Sequence, residues 1–88
     1  MNYSIYYSTS AEKYILRLPK SKAESTIKRM QYVASNPFKK DNNIAKLAGT
    51  VSSYRLRIGD IRVVYWLDQE HKKMYVTKIA PRGFVYSE

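Results

Sequence analysis

Apolar and polar positions alternate most cleanly between Ser53 and Leu67, in the run S-Y-R-L-R-I-G-D-I-R-V-V-Y-W-L. A period of two is the signature of a strand. The run holds two of them, joined by a two-residue Gly59-Asp60 turn. Glycine at the first central position suits a type II′ turn, whose twist matches the flanking strands. The turn sets the register: Ile58 faces Ile61, Arg57 faces Arg62, Leu56 faces Val63 and Arg55 faces Val64. One face of the hairpin then carries Tyr54, Leu56, Ile58, Ile61, Val63, Tyr65 and Leu67, and requires cover. The other carries Arg55, Arg57 and Arg62, with Val64 and Trp66 beside them.

The remaining pattern supplies that cover. Asn2 to Tyr7 alternates weakly, with Tyr3, Ile5 and Tyr7 on one side, and reads as a first strand. Thr9-Ser10-Ala11-Glu12 has the form of a capping box, and Ala11, Tyr14, Ile15 and Leu18 follow at helical spacing. Pro19 stops that helix, and Ser21-Lys22-Ala23-Glu24 opens a second with the same signature. Its apolar stripe is Ala23, Ile27, Met30 and Ala34, and Asn36-Pro37 ends it. Phe38 to Ser52 is the least patterned stretch, where Ile44 and Leu47 are expected to pin a loop to the core. After the hairpin, Asp68 to Lys72 makes a second reversal. A last strand runs from Lys73 to Pro81, with Tyr75, Thr77 and Ile79 alternating against Met74, Val76, Lys78 and Ala80.

The order β-α-α-β-β-β, without repeat or linker, predicts a single α+β domain over residues 1–88. An antiparallel sheet is packed on one face by a two-helix hairpin, and its other face is partly open. The tail Pro81-Arg82-Gly83-Phe84-Val85-Tyr86 leaves the last strand beside the hairpin, within reach of the arginine rim. The alternative for it is a frayed terminus.

Composition narrows the chemistry. Eighty-eight residues, 44% of them hydrophobic, suffice for one core. There is no cysteine and a single histidine, His71, so neither a thiol nucleophile nor a His/Cys metal cluster is available. No apolar run has the length of a membrane span and no signal-peptide pattern opens the chain, so the expected location is the cytoplasm. Sixteen Lys and Arg against seven Asp and Glu give a net charge of +9. So strong a field on so small a domain predicts polyanionic partners, nucleic acid first. The positive charge is spread over helices, loop and sheet, unlike a membrane-surface helix. Nine tyrosines and one tryptophan add surfaces on which unpaired bases stack, although most aromatic residues are core.

Like charges opposed across a strand pair are destabilising by roughly 0.2–1 kcal/mol. Arg57 against Arg62, with Arg55 adjacent, is therefore a juxtaposition that calls for a reason. One reading is a solvated basic face. The other is an anion site, because guanidinium groups stay charged and grip phosphate in a bidentate fork.

The hairpin Tyr54-Arg55-Leu56-Arg57-Ile58-Gly59-Asp60-Ile61-Arg62-Val63-Val64-Tyr65 and the closing Pro81-Arg82-Gly83-Phe84-Val85-Tyr86 resemble the RelE/ParE superfamily of toxins from type II toxin–antitoxin pairs. The similarity extends over nearly the whole chain, and the Arg-Gly-x-x-Tyr ending is closest to the RelE-like branch. The resemblance implies a metal-independent, cofactor-free endoribonuclease that cuts messenger RNA in the ribosomal A site. It implies that Arg55, Arg57 and Arg62 hold the scissile phosphate, and that Arg82 and Tyr86 complete the catalytic set. Lys20, Lys22, Lys28, Lys39 and Lys40 become RNA-phosphate contacts on the ribosome, which position rather than specify. The implied regulator is an acidic antitoxin in a hetero-oligomeric complex, to which a charge of +9 is complementary. This chain departs from the best-known ribonuclease member by having arginine at 55 and 57 in place of lysine, and a shorter spacing from Arg82 to Tyr86. The rival reading is a ParE-like gyrase poison, which binds a protein and cuts no RNA. A third is an inactive scaffold that binds only its antitoxin. His71 is assigned to the turn.

Overall fold

The Gly59-Asp60 turn forms where the alternation places it. In the computed structural model, which describes residues 2–50 and 52–81, strand β3 (Ser53–Ile58) pairs antiparallel with β4 (Ile61–Asp68). The register is the expected one, from Ile58 opposite Ile61 to Arg55 opposite Val64. Gly59 adopts φ 57° and Asp60 has no positive φ. A type II′ turn needs positive φ only at its first central residue, whereas type I′ needs it at both.

The elements follow in the order β1 (Ser4–Tyr7), α1 (Thr9–Leu16), α2 (Lys20–Ser35), β2 (Ile44–Lys46), β3, β4 and β5 (Lys73–Pro81). The five strands form one open sheet in the order β1-β5-β4-β3-β2. The α+β class and the helical layer are as expected, but the sheet is mixed rather than wholly antiparallel, because β1 runs parallel to β5. Tight reversals force the β3-β4-β5 meander to be antiparallel. The long route from β1 to β5 through both helices imposes no such constraint. The loop after α2 also contributes a fifth strand, β2, whose Ile44 and Ala45 lie opposite Leu56 and Arg55. Three residues are too few to show a period.

Local chemistry fixes the helices. Ser8, one residue earlier than expected, is the N-cap of α1. Its Oγ accepts from the Ala11 N–H at 3.1 Å and donates to the Thr77 carbonyl at 2.8 Å, tying the helix to β5. Helix α2 starts at Lys20 behind Pro19 with no side-chain cap, so the Ser21 signature is not used. Proline presets the backbone dihedral there, and the chain turns into α2 at once. The helix ends at Ser35, and Asn36 before Pro37 has left the helical region, at φ −156° and ψ 74°, as the sequence requires.

The core joins Ala11, Met30, Val33 and Ala34 from the helices to Leu56, Ile61, Val63, Tyr65, Leu67, Met74, Val76 and Ile79 from the sheet. Ile79 reaches that face through a β-bulge. Val64 pairs with Lys78 and Tyr65 with Val76, leaving Thr77 as the extra residue, whose Oγ1 donates to the Val64 carbonyl at 3.2 Å. The bulge breaks the period of two. Ile79 therefore joins Met74 and Val76 in the core instead of sharing a face with Tyr75 and Thr77, while Lys78 and Ala80, expected beside Met74 and Val76, move to the open face with Tyr75.

Candidate nucleic-acid interface

Register converts the open face into a grid. One row holds Arg57, Arg62 and Ala80, and the next holds Ala45, Arg55, Val64 and Lys78. The three hairpin arginines are thus brought together on one surface by β3 and β4, because residues 55, 57 and 62 share the parity that faces away from the helices. They sit at graded depths: Arg62 is buried, at 5% exposure, Arg55 is half-buried and Arg57 is exposed. With Asn42, Asn43, Ile44 and Ala45 they line a cleft of ≈ 90 Å³.

The cleft has a wall because β2 exists. Arg57 donates its backbone N–H to the Asn43 carbonyl at 2.9 Å. Its Nε and Nη2 donate to Asn43 Oδ1 at 3.3 and 3.1 Å, which aims the guanidinium across the cleft. Asn43 is held in turn, since its N–H donates to Asp41 Oδ1 at 2.9 Å. Arg29 on α2 donates to the other Asp41 oxygen at 2.6 Å. That hydrogen bond holds the Asp41 carboxyl below the ordinary aspartate value, so the acid beside the cleft stays ionised and bound to α2. Sequence reasoning missed Asn43, because nothing in an unpatterned loop marks one asparagine as a positioning residue.

Two other acidic side chains at the ends of the hairpin strands also have partners. Lys22 meets Asp60 at 2.7 Å at the hairpin turn, and the hydrogen bond lowers the Asp60 pKa. Asp68 caps the second reversal by accepting from the His71 N–H at 3.1 Å. It also meets His71 Nδ1 at 2.8 Å and is lowered by that contact. His71 is thus a turn residue at the far end of the sheet from the arginines.

The five lysines expected as RNA contacts are not gathered into one site. Lys20, Lys22 and Lys28 lie on α2, whose buried residues pack on the opposite face of the sheet, and Lys22 is paired to Asp60. Lys39 and Lys40 lie in the loop after α2, in a hollow that shares Asn42 and Ile44 with the arginine cleft. Lys39 Nζ donates to the Tyr32 hydroxyl at 3.0 Å. Arg82 and Tyr86, the remaining expected catalytic residues, lie outside the described residues. A larger hollow of ≈ 720 Å³ on the helical side is lined mostly by apolar residues, Tyr3, Ile5, Tyr7, Ile15, Leu16 and Ile27 among them, with Glu12 and Gln31 also lining it and no arginine among the described residues. Among the described residues no cluster of three or more His, Cys, Asp or Glu is placed to hold a metal ion. No helix among them is long and apolar enough to cross a membrane.

No protein-family model and no curated protein matches the sequence. Solved structures do. The archaeal RelE–RelB complex from Pyrococcus horikoshii OT3 has a chain that is 28% identical, with a TM-score of 0.81 over 94% of this chain and 98% of that one. A mutant of the E. coli toxin RelE in the free state is 25% identical, with a TM-score of 0.79 over 100% of this chain and 94% of that one. YoeB from Staphylococcus aureus, solved as a dimer, shares the fold at 18% identity and a TM-score of 0.68, over 89% of this chain and 94% of that one. Near-complete coverage in both directions accompanies these likenesses, and the chain is a RelE-like member of this toxin superfamily.

Proposed function

We propose that the protein is the toxin of a type II toxin–antitoxin pair and acts as a metal-independent, ribosome-dependent endoribonuclease that cuts messenger RNA in the A site. The observation that supports this most is the cross-strand arginine cleft. Arg62 forms its floor and Arg57 its mouth, with Arg55 beside them, and a phosphate group entering it meets guanidinium groups from both strands of the hairpin. Such donors stabilise the dianionic, five-coordinate phosphate of the transition state more than the singly charged ground state.

RNA carries its own nucleophile, so the protein needs no metal or covalent residue for attack. The 2′-oxygen bonds to phosphorus, its proton passes to a base, and the bond from phosphorus to the 5′-oxygen breaks as that oxygen takes up a proton. Arginine is not deprotonated in proteins and serves the charge rather than the proton transfer. In this proposal Tyr86 is the general base, its phenolate favoured by nearby positive charge, and Arg82 acts on the developing charge or the leaving oxygen. The ribosome presents the bent message in line, and Lys20, Lys28, Lys39 and Lys40 contact ribosomal RNA phosphates. The whole chain acts as one domain in the cytoplasm. The P. horikoshii relative is solved with RelB, and by likeness the regulator here is an acidic antitoxin that forms a hetero-oligomer with the basic chain.

End-group analysis of message cut on translating ribosomes tests the chemistry. The expected products are a 2′,3′-cyclic phosphate and a 5′-hydroxyl. A 3′-hydroxyl with a 5′-phosphate contradicts the mechanism.

A further inference from the structure

The open face carries a second feature that phosphate binding does not use. Register places Tyr6 opposite Tyr75, Tyr75 opposite Trp66, and Trp66 opposite Ser53. The rings stack into one row: Tyr6 on Tyr75 at 5.4 Å with planes 25° apart, and Tyr75 on Trp66 at 4.7 Å with planes 18° apart. Lys73 Nζ closes the outer end, 5.4 Å from the Tyr6 ring centre. At the inner end Trp66 lies opposite the small Ser53, and among the described residues no ring other than Tyr75 stacks on the indole. Tyr6 and Trp66 are 46% and 39% exposed.

Cross-strand packing explains why the rings touch each other. It does not explain why an exposed aromatic row lies on the same face as a phosphate cleft. The next row holds Arg55, Val64 and Lys78, and the one beyond it holds Arg57 and Arg62. Trp66 is four residues from Arg62 along β4, which is about 13 Å, the reach of a short run of nucleotides. Among the described residues of this face the acidic one is Asp68, which sits at the turn end, bound to His71. Aromatic faces interleaved with cations are how single strands are held: bases stack and phosphates pair with the charges. The carboxylate side chains of an acidic peptide match the charge but add no aromatic face to the stack, whereas every nucleotide brings both a charge and a ring.

Resting on the RNA reading above, we propose that the Tyr6–Tyr75–Trp66 row is a base-stacking platform for single-stranded RNA. One unstacked base continues the row on the Trp66 indole above Ser53, while its backbone runs toward Arg55 and Arg62.

Trp66 is the protein's single tryptophan, so its emission reports the site directly. The probe is a short 2′-O-methyl RNA, which cannot be cut because its nucleophile is blocked, compared with an abasic strand of equal length. The base-bearing strand quenches Trp66 and the abasic strand does not. By fluorescence anisotropy of labelled RNA, Trp66→Ala weakens binding about tenfold or more, the usual worth of one base–aromatic stack. Trp66→Phe retains most of the affinity, and Ser53→Phe, which fills the space above the indole, abolishes quenching in a folded protein. If both strands bind equally, Trp66 is not quenched, and Arg57→Ala weakens both, the platform is wrong and the phosphate cleft stands. If neither strand binds, the platform is overturned, whereas the RNA reading stands or falls separately on cleavage of message by translating ribosomes. Quenching by polyglutamate but not by RNA overturns the platform in favour of a protein-docking surface.

Discussion

Arg57 and Arg62 are opposed across the hairpin, and a double-mutant cycle on them separates a functional juxtaposition from an incidental one. Directly opposed residues in an antiparallel pair have Cα atoms about 4.5–5.5 Å apart. Like charges at that spacing oppose folding by roughly 0.2–1 kcal/mol, with the value held toward the water limit because Arg57 is exposed. Arg57→Thr removes this repulsion but also the exposed bonds to Asn43, together about 0.5 kcal/mol. The two effects nearly cancel, so its net change stays within about 0.5 kcal/mol. Arg62→Thr relieves the same repulsion but loses a buried stem, and is destabilising overall. Each single variant removes the repulsion, and the double variant can remove it only once. The double variant is therefore less stable than the sum of the singles by the repulsion itself, roughly 0.2–1 kcal/mol. Urea unfolding followed by Trp66 emission measures this at low ionic strength and again in 1 M KCl, where the Debye length of about 3 Å screens the pair. A double variant at least as stable as the sum, or a coupling indifferent to salt, refutes the juxtaposition. The same single variants should each reduce the salt slope of RNA binding by about 1.

Three further outcomes follow from individual contacts. Ser8→Ala removes both the N-cap of α1 and the bond to Thr77, and lowers stability by about 1–2 kcal/mol, read as a fall in Tm of roughly 4–8 °C per kcal/mol. Tyr65→Phe deletes a buried hydroxyl that has no hydrogen-bond partner among the described residues, whose burial also pushes the phenol pKa up; calorimetry should show a stabilisation of about 1 kcal/mol. The hydrogen bond from Arg29 lowers the Asp41 pKa below 3.8. That stabilisation is complete above the unfolded value and is lost as pH falls through the lowered folded value, so Asp41→Asn flattens the stability profile below pH about 4.

The hairpin was legible in the sequence because its alternation is clean and a glycine turn allows one register. Everything on β3 and β4 follows from those two facts, including the gathering of Arg55, Arg57 and Arg62. Three features were hidden for separate physical reasons. Ile44–Lys46 is shorter than any period, so strand β2, and with it the placement of Asn43 against Arg57, emerged only from pairing. The bulge at Thr77 moves Ile79 to the core without any glycine to announce it. The parallel β1–β5 junction depends on where the helical crossover returns the chain, which no local pattern encodes. The aromatic row lay between these cases. Tyr6, Tyr75 and Trp66 are visible as residues, but their alignment requires the register of three strands.

The catalytic set divides along the same line. The strand arginines can be placed from register, whereas Arg82 and Tyr86 carry roles that rest on resemblance, and their test is functional rather than geometric.

The central claim is ribosome-dependent cleavage of messenger RNA. Primer extension on a defined message, with translating ribosomes plus the protein and again with ribosomes omitted, tests it most directly. Cuts confined to A-site codons, dependent on ribosomes and lost in Arg57→Ala and Arg82→Ala, are the predicted result. An uncut message from folded protein and ribosomes of its own host, with growth arrest and DNA-damage signalling in the same cells, contradicts the claim and assigns the fold to a gyrase poison.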